Sequence, residues 1–284
     1  MSAVDLHLHS NRSDGVLAPA DLVAFVASCG VRLFALTDHD TVDGLEEAAH
    51  AARAHGTTLV PGLELSAAWR GRGLHVVGLG VDPTAAPLVR AIEQRTRARR
   101  ERAERIRDRL DRAGAPGTAA YRVVSAHPLP TRTHFARALV ELGVCADPGR
   151  AFERWLGRGK PGDVAAEWPD LGATVQAIVA AGGVAVLAHP LRYTLSAGQR
   201  RQLAAEFKAL GGTALEVAVG GVAPHQVETA TGLALRAGLE ASAGSDCHDP
   251  ALPWHRPGRL AKLSSALVPV WRRWEGAHDA AAHA

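Results

Sequence analysis

The feature that most constrains this chain is a repeated pattern of short apolar runs closing on histidine or a carboxylate. VDLHLH, residues 4–9, closes on His7 and His9, RLFALTDHD on Asp38, His39 and Asp40, and TTLVPGLE on Glu64. HVVGLGV opens with His75, and GVAVLAHP closes on His189 and Pro190. ALEVAVGG follows, and then EASAGSDCH closes on Asp246 and His248. Near-continuous runs of Val, Leu and Ala read as strands buried on both faces. Side chains alternate along an extended strand, so Asp5, His7 and His9 are expected on one face of the first run and Leu6 and Leu8 on the other.

Helical stretches separate the runs. ADLVAFVASCG ends at Gly30, and DGLEEAAHAARAHG starts at Asp43 with Glu46 in a capping-box position and stops at Gly56. ATVQAIVAAGG, SAGQRRQLAAEFKALGG and VETATGLALRAGL supply three more helices. Strand and helix in alternation imply βαβ units and a mostly parallel sheet. An α/β barrel is the expected architecture, because such barrels gather their active residues at the C-terminal ends of strands. The alternation breaks between residues 84 and 168, where an arginine-rich helix, prolines 116, 128 and 130, and the helices THFARALVELG and DPGRAFERWLG are found. That stretch reads as an inserted helical subdomain. Residues 1–83 and 169–276 are left to form a discontinuous barrel, and 277–284, with His278 and His283, a flexible tail.

The 284 residues suffice for one large domain, and 47% hydrophobic content is ample for a core. No run approaches the 18 apolar residues of a transmembrane helix, and the N-terminus lacks the basic and apolar regions of a signal peptide. Cys29, Cys145 and Cys247 are scattered singly, so a disulfide framework is not expected and a reducing cytoplasm is. Cys247 reads as a small packing residue. Net charge is only +3, yet residues 90–112 hold ten arginines against five acids. That helix is either a solvated face laced with pairs such as Glu101 with Arg105, or a basic wall for an anionic substrate. Both can hold together.

His7, His9, Asp14, His39, Glu64, His75, His189, Asp246 and His248 together make a donor set of imidazoles and carboxylates without a thiolate. Such a set suits zinc, manganese or iron, and there are enough donors for two or three ions. Asp5, Asp38 and Asp40 are the nearest candidates for orienting the imidazoles, although Asp40 also stands where it can cap the next helix. For phosphate recognition Arg132 and His134 of TRTH and Arg192 of HPLRY lead, since an arginine fork meets two phosphate oxygens at once. Arg158 and Lys160 are weaker candidates.

The segments DLHLHSNRSDG, ALTDHD, PGLE, His75, AHP and GSDCH, in that order, resemble the PHP (polymerase and histidinol phosphatase) family. TRTHFARALVELG, HPLRY, LEV with its glycine pair, PW before a Gly-Arg, and PVWRRW look like one bacterial branch of it. That branch comprises 3',5'-nucleoside bisphosphate phosphatases and 5'-3' exoribonucleases. The resemblance implies a distorted (β/α)7 TIM-like barrel holding a trinuclear centre, with manganese, zinc or iron ions. By the same resemblance, His7, His9, Glu64 and Asp246 hold one ion, Glu64, His75 and His189 a second, and Asp14, His39 and His248 a third. The implied activity is hydrolysis of the 3'-phosphate of a nucleoside bisphosphate, and of 5'-phosphorylated short RNA, by a metal-bridging hydroxide at the His7, His9, Glu64 and Asp246 centre. A histidinol-phosphate-type phosphatase and a non-catalytic PHP module are the alternatives. The expected partner is a nucleotide or short single-stranded RNA, not double-stranded DNA or a membrane. The branch usually places an aromatic residue at position 247, where this chain has cysteine.

Overall fold

In the computed structural model, described over residues 3–275, the runs become seven strands hydrogen-bonded in sequence order. They are β1 (Val4–Asp5), β2 (Leu33–Leu36), β3 (Thr58–Trp69), β4 (Arg72–Leu79), β5 (Val184–Leu187), β6 (Ala214–Val219) and β7 (Glu240–Gly244). The helices are α1 (Pro19–Ser28), α2 (Leu45–Ala54), α3 (Ala86–Arg112), α4 (Gly117–Val124), α5 (Arg132–Glu141), α6 (Pro148–Ala151), α7 (Leu171–Ala180), α8 (Ala197–Ala209) and α9 (Pro224–Ala237). The first strand returns to the last. Leu6 N–H donates to Ala243 O at 2.9 Å, Asp246 N–H to His7 O at 2.8 Å, and His9 N–H to Cys247 O at 3.0 Å. The sheet is thereby nearly closed into a barrel of the expected α/β type.

Pairing is parallel throughout except at β4, which is antiparallel to both β3 and β5. A two-residue turn makes the reversal. Trp69 pairs with Arg72, and Arg70 and Gly71 both have positive φ, at 51° and 72°. Paired positive φ values are what a type I′ hairpin requires.

The interior cluster joins Leu6, Leu33, Ala35, Val60, Val77, Leu79, Val186, Ala188 and Ala214 to Val270, with Trp271 and Trp274 packed against it. The C-terminal 3-10 turn Val270–Arg273 thus plugs one end of the barrel. A second cluster places Leu8, Phe34 and Leu36 beneath Leu22, Val26 and Ala48 of α1 and α2. Leu6 and Leu8 therefore do not share a face, contrary to the simple alternation expected of the first run. Regular pairing stops at Asp5, and the Leu8 N–H donates to the Thr37 hydroxyl at 3.0 Å instead of to a ladder carbonyl. Helix α2 also differs from its expected start. Its N-cap is Gly44 with no side-chain cap, so Asp43 and Glu46 form no capping box. Glu47, one residue on, accepts from Arg12 Nη2 and Ala20 N–H.

The residues up to Ala91 and from Pro169 onward form one compact unit, and Ile92–Trp168 a second. The boundary lies inside α3, a few residues beyond the position 84 expected from the sequence. The second unit has its own core of Ile106, Leu110, Phe135, Leu139 and Leu156. Its arginine-rich helix is not uniformly solvated, for Arg95 and Arg99 are buried. Arg105 reaches Glu167 at 3.6 Å. The expected tail lies outside the described residues, as do His278 and His283.

Barrel closure leaves no room over Gly244, where an added Cβ would come within 2.2 Å of the His7 Cβ. Gly244→Ala is expected to cost about 1–3 kcal/mol of stability through overpacking. Urea unfolding of the two proteins measures it.

Candidate metal centre

Six of the seven strands run the same way, and their C-terminal ends deliver His7, His9, His39, His189 and Asp246 to one mouth, which Glu64 joins from the middle of β3. His75 lies near the start of β4, but β4 is reversed, so its pairing with Ser66 sets it beside Glu64. The antiparallel strand thus contributes from its beginning what the others contribute from their ends.

The imidazoles make a closed ring. Centroid separations run 5.0 Å from His7 to His9, 4.5 Å to His39, 4.8 Å to His75, 5.4 Å to His189 and 5.7 Å back to His7. His248 stacks on His9 at 4.0 Å. Glu64, with no solvent exposure, faces the whole ring. Its Oε2 lies 2.9 Å from His39 Nδ1, 3.3 Å from His7 Nε2 and 3.4 Å from His9 Nε2. Its Oε1 lies 3.1 Å from His75 Nδ1 and 3.0 Å from His189 Nε2. Asp246 Oδ1 stands 3.2 Å from His9 Nε2, and Asp14 Oδ1 stands 3.2 Å from His248 Nε2. All nine donor residues named from the sequence fall into four overlapping groups whose donor atoms lie within 4.8 Å of one another.

The electrostatics fit a cation. His7 Nε2, both nitrogens of His9, His39 Nδ1, His75 Nδ1 and Glu64 Oε2 are buried without a well-formed hydrogen bond. Orphaned buried polar atoms are costly, and these point at one another rather than at apolar walls. Burial disfavours the charged forms of Glu64, Asp14 and Asp246, yet the surrounding imidazoles, His7 above all for Glu64 and Asp246, hold each carboxylate well below its ordinary range. His9 is driven well below the ordinary histidine value by burial and by His248 and His39, which keeps it the neutral imidazole a metal needs. Burial also opposes charge on His7, but Glu216, Glu64 and Asp246 outweigh it and raise that histidine well above its ordinary value. Cys247 takes no part. It is buried beside Leu8, and burial pushes its thiol up to about 12, so it stays protonated.

Glu216 was not foreseen. It sits within β6 and accepts at both oxygens, from His7 Nδ1 at 2.7 Å and from His189 N–H at 2.7 Å. With Nδ1–H committed to Glu216, the Nε2 of His7 is aimed at the centre, the arrangement by which a carboxylate orients a metal-binding imidazole. The three aspartates expected in that role act on backbone and hydroxyls instead. Asp38 accepts from Ser10 N–H, Ser10 Oγ and Ser13 Oγ, fixing the loop that carries Asp14. Asp5 accepts from Ser245 N–H at 2.8 Å, and Asp40 from Ser66 N–H and Oγ. Strain gathers here too, for Asp40, His189 and Asp246 have φ of 52°, 29° and 55°.

Arg192 reaches the mouth. Its guanidinium pairs with Asp246 Oδ2, donates to Gly220 O at 3.0 Å and lies 3.3 Å from His255 Nε2. His255, also unforeseen, contacts Asp246 O through Nδ1 at 3.0 Å. Arg132 and His134 belong to the second unit. His134 Nδ1 accepts from Thr131 N–H at 3.1 Å, so it closes a capping box on α5. Arg132 is half-buried, 3.8 Å from Asp163. Arg158 and Lys160 follow the π-helical turn Phe152–Leu156, and the Lys160 N–H donates to Gly157 O at 3.0 Å.

A profile of the PHP domain matches residues 5–112, and full-length relatives extend the match over the rest. A 5'-3' exoribonuclease of Haemophilus influenzae is 40% identical over 95% of this chain and 98% of its own length. The chain belongs to the PHP domain family. A 3',5'-nucleoside bisphosphate phosphatase of Chromobacterium violaceum is 39% identical over 97% of both chains. Among solved structures, an amidohydrolase from Chromobacterium violaceum, with bound sulfate and no metal, superposes with a TM-score of 0.90 at 37% identity, over 99% of this chain and 97% of that one. A protein from Bifidobacterium adolescentis, described as a candidate metal-dependent phosphoesterase, gives a TM-score of 0.78 at 28% identity, over 94% of this chain and 92% of that one.

Removing the charge of Glu216 tests its orienting role. Glu216→Gln is expected to weaken metal binding about 10–100-fold while the fold persists. Metal titration followed by calorimetry, beside a circular dichroism spectrum, reads both.

Proposed function

We propose that this PHP protein is a metal-dependent phosphoesterase that removes the 3'-phosphate of nucleoside 3',5'-bisphosphates and trims 5'-phosphorylated short RNA from its 5' end. The observation that carries the reading is the ring of five imidazoles closed around the buried Glu64 carboxylate. The activities named for the full-length relatives give it a substrate class. The two named activities are one chemistry. A nucleoside 3',5'-bisphosphate has the 5'-phosphate and the 3'-ester linkage of the first nucleotide of such an RNA. Breaking the bond between phosphorus and the 3'-oxygen releases phosphate from the first substrate. From RNA it releases a mononucleotide and leaves a shorter strand with a new 5'-phosphate.

The centre is suited to two or three ions, with manganese as the proposed metal and zinc or iron compatible with the same donors. His7, His9, Glu64 and Asp246 are proposed to hold one, Glu64, His75 and His189 a second, and Asp14, His39 and His248 a third. When bound, such ions lower the pKa of water and neutralise charge developing on phosphoryl oxygens. The chain's own residues arrange this. Glu216 fixes the direction of the His7 lone pair, and Asp38 holds the loop bearing Asp14. Arg192 brings a fixed cation to the mouth, where a guanidinium suits phosphate oxygens.

Arg132 and His134 are proposed phosphate-recognising groups of the inserted unit. Their surroundings support this, because burial, Arg132 and Arg99 depress Arg102 to about 9. Cations crowded into a poorly solvated place favour an anionic guest. A reducing cytoplasm is the proposed compartment, in keeping with the free cysteines.

Manganese-loaded protein is expected to release phosphate and the 5'-monophosphate from adenosine 3',5'-bisphosphate, with histidinol phosphate a far poorer substrate. Chelation is expected to abolish the reaction. His9→Ala is expected to slow it by about 100-fold or more, since each metal contact supplies several kcal/mol of charge stabilisation. Absence of turnover with both the bisphosphate and 5'-phosphorylated RNA, in a preparation shown to contain metal, overturns the reading.

A further inference from the structure

The metal centre is built wholly from imidazoles, carboxylates and one guanidinium, none of which offers an apolar face to a nucleobase. The rim of the same mouth does. The chain has six tryptophans. Trp69 donates through Nε1 to Glu206 and lies under Arg70. Trp155 pairs with Arg154 and Trp168 with Arg99, while Trp271 and Trp274 pack on the barrel interior. Trp254 differs from all of them. It is 57% exposed, the one aromatic among the described large hydrophobic side chains that are exposed.

Its place is set by the site. Trp254 sits in the 3-10 turn Pro253–His255, and the next residue, His255, contacts the Asp246 carbonyl at 3.0 Å and Arg192 at 3.3 Å. Beneath the turn, Gly220 and Gly221 leave β6. A Cβ on Gly220 would strike Ser245 O at 2.2 Å and meet the His255 Cα at 3.2 Å, and one on Gly221 would touch Trp254 Cδ1 at 3.4 Å. The glycine pair is what lets this turn lie flat on the ends of β6 and β7. The indole is therefore pinned beside the carboxylate-bearing strand end, through His255, while most of its surface stays in water.

An exposed indole beside a centre that would engage phosphate is placed to stack on a base. We propose that Trp254 is the stacking platform for the nucleobase of the substrate, positioning the nucleotide while the neighbouring centre engages its phosphate. The inference rests on the nucleotide reading above. Stacking accepts any base because every base has a π-face, so the platform favours nucleotides over other phosphate esters without selecting among bases.

The test uses the full-length, manganese-loaded protein and two probes, adenosine 5'-monophosphate and inorganic phosphate, with binding measured by calorimetry. Trp254→Ala is expected to weaken monophosphate binding about tenfold or more, in line with 1–3 kcal/mol per stacked base, and to leave phosphate binding unchanged. Trp254→Phe, which keeps a π-face, is expected to retain most of the affinity. In turnover, the alanine variant is expected to raise KM for adenosine 3',5'-bisphosphate with little change in kcat. Equal monophosphate affinity in wild type and Trp254→Ala overturns the platform while leaving the functional reading intact. A wild-type protein that binds phosphate but shows no preference for the monophosphate overturns both.

Discussion

A fully buried carboxylate facing five imidazoles governs the rest of this structure. Removing an ionised group from water costs several kcal/mol even after the protein relaxes. Glu64 has no solvent exposure to offset that cost, only the nitrogen atoms that ring it. Those imidazoles come from β3's neighbours on both sides and from strands far along the chain, so no local segment can assemble them. A nearly closed sheet can, because its strand ends converge on one mouth. The apolar interior below, plugged by Val270 and its neighbouring tryptophans, fixes the strands rigidly enough for the donors to meet.

Much of this was legible because most of the donors occur at a repeated place, at or near the end of an apolar run, while His75 opens its run and Asp14 follows in the first loop; the structure brings all nine side chains together. Glu216 was harder to find for the opposite reason. It lies inside the run ALEVAV rather than at its end, and every residue of that strand is buried. A lone carboxylate in a strand buried on both faces was the available signal, since such a charge persists only with a partner. The reversal of β4 was also written in the chain. Arg70-Gly71 between two apolar runs is a two-residue hairpin turn, and only the expectation of uniform βα alternation hid it. The failure of alternation at Leu8 was not legible, because it depends on Thr37, just past the end of β2, intercepting the Leu8 N–H.

The aspartates that border the donors show how the positions are kept. Asp5 accepts from the Ser245 N–H, and Asp38 and Asp40 each accept from a backbone N–H and serine hydroxyls, so that together they tie β1 to the end of β7, the first loop to the end of β2, and β3 to the loop after β2. Burial moves Asp5 up to about 7 and Asp38 up to about 6, which marks how thoroughly these ties are enclosed. The same rigidity sustains positive φ at His189 and Asp246, conformations a branched or bulky residue tolerates only when its surroundings over-determine them. The outer carboxylates thus set the backbone, Glu216 sets a ring, and the inner carboxylates and imidazoles are left to the centre.

This division places discrimination away from the donors. A cluster of cations responds to phosphoryl charge, and every phosphate ester presents that charge in much the same way. What distinguishes a nucleotide is an apolar ring at a fixed remove from its phosphate, and in RNA a further run of negative charge. On the proposed reading, the barrel rim answers the first with an exposed indole set one residue from a histidine that touches the centre. On that reading, substrate choice changes by altering the turn after β7, while the ring around Glu64 stays as it is.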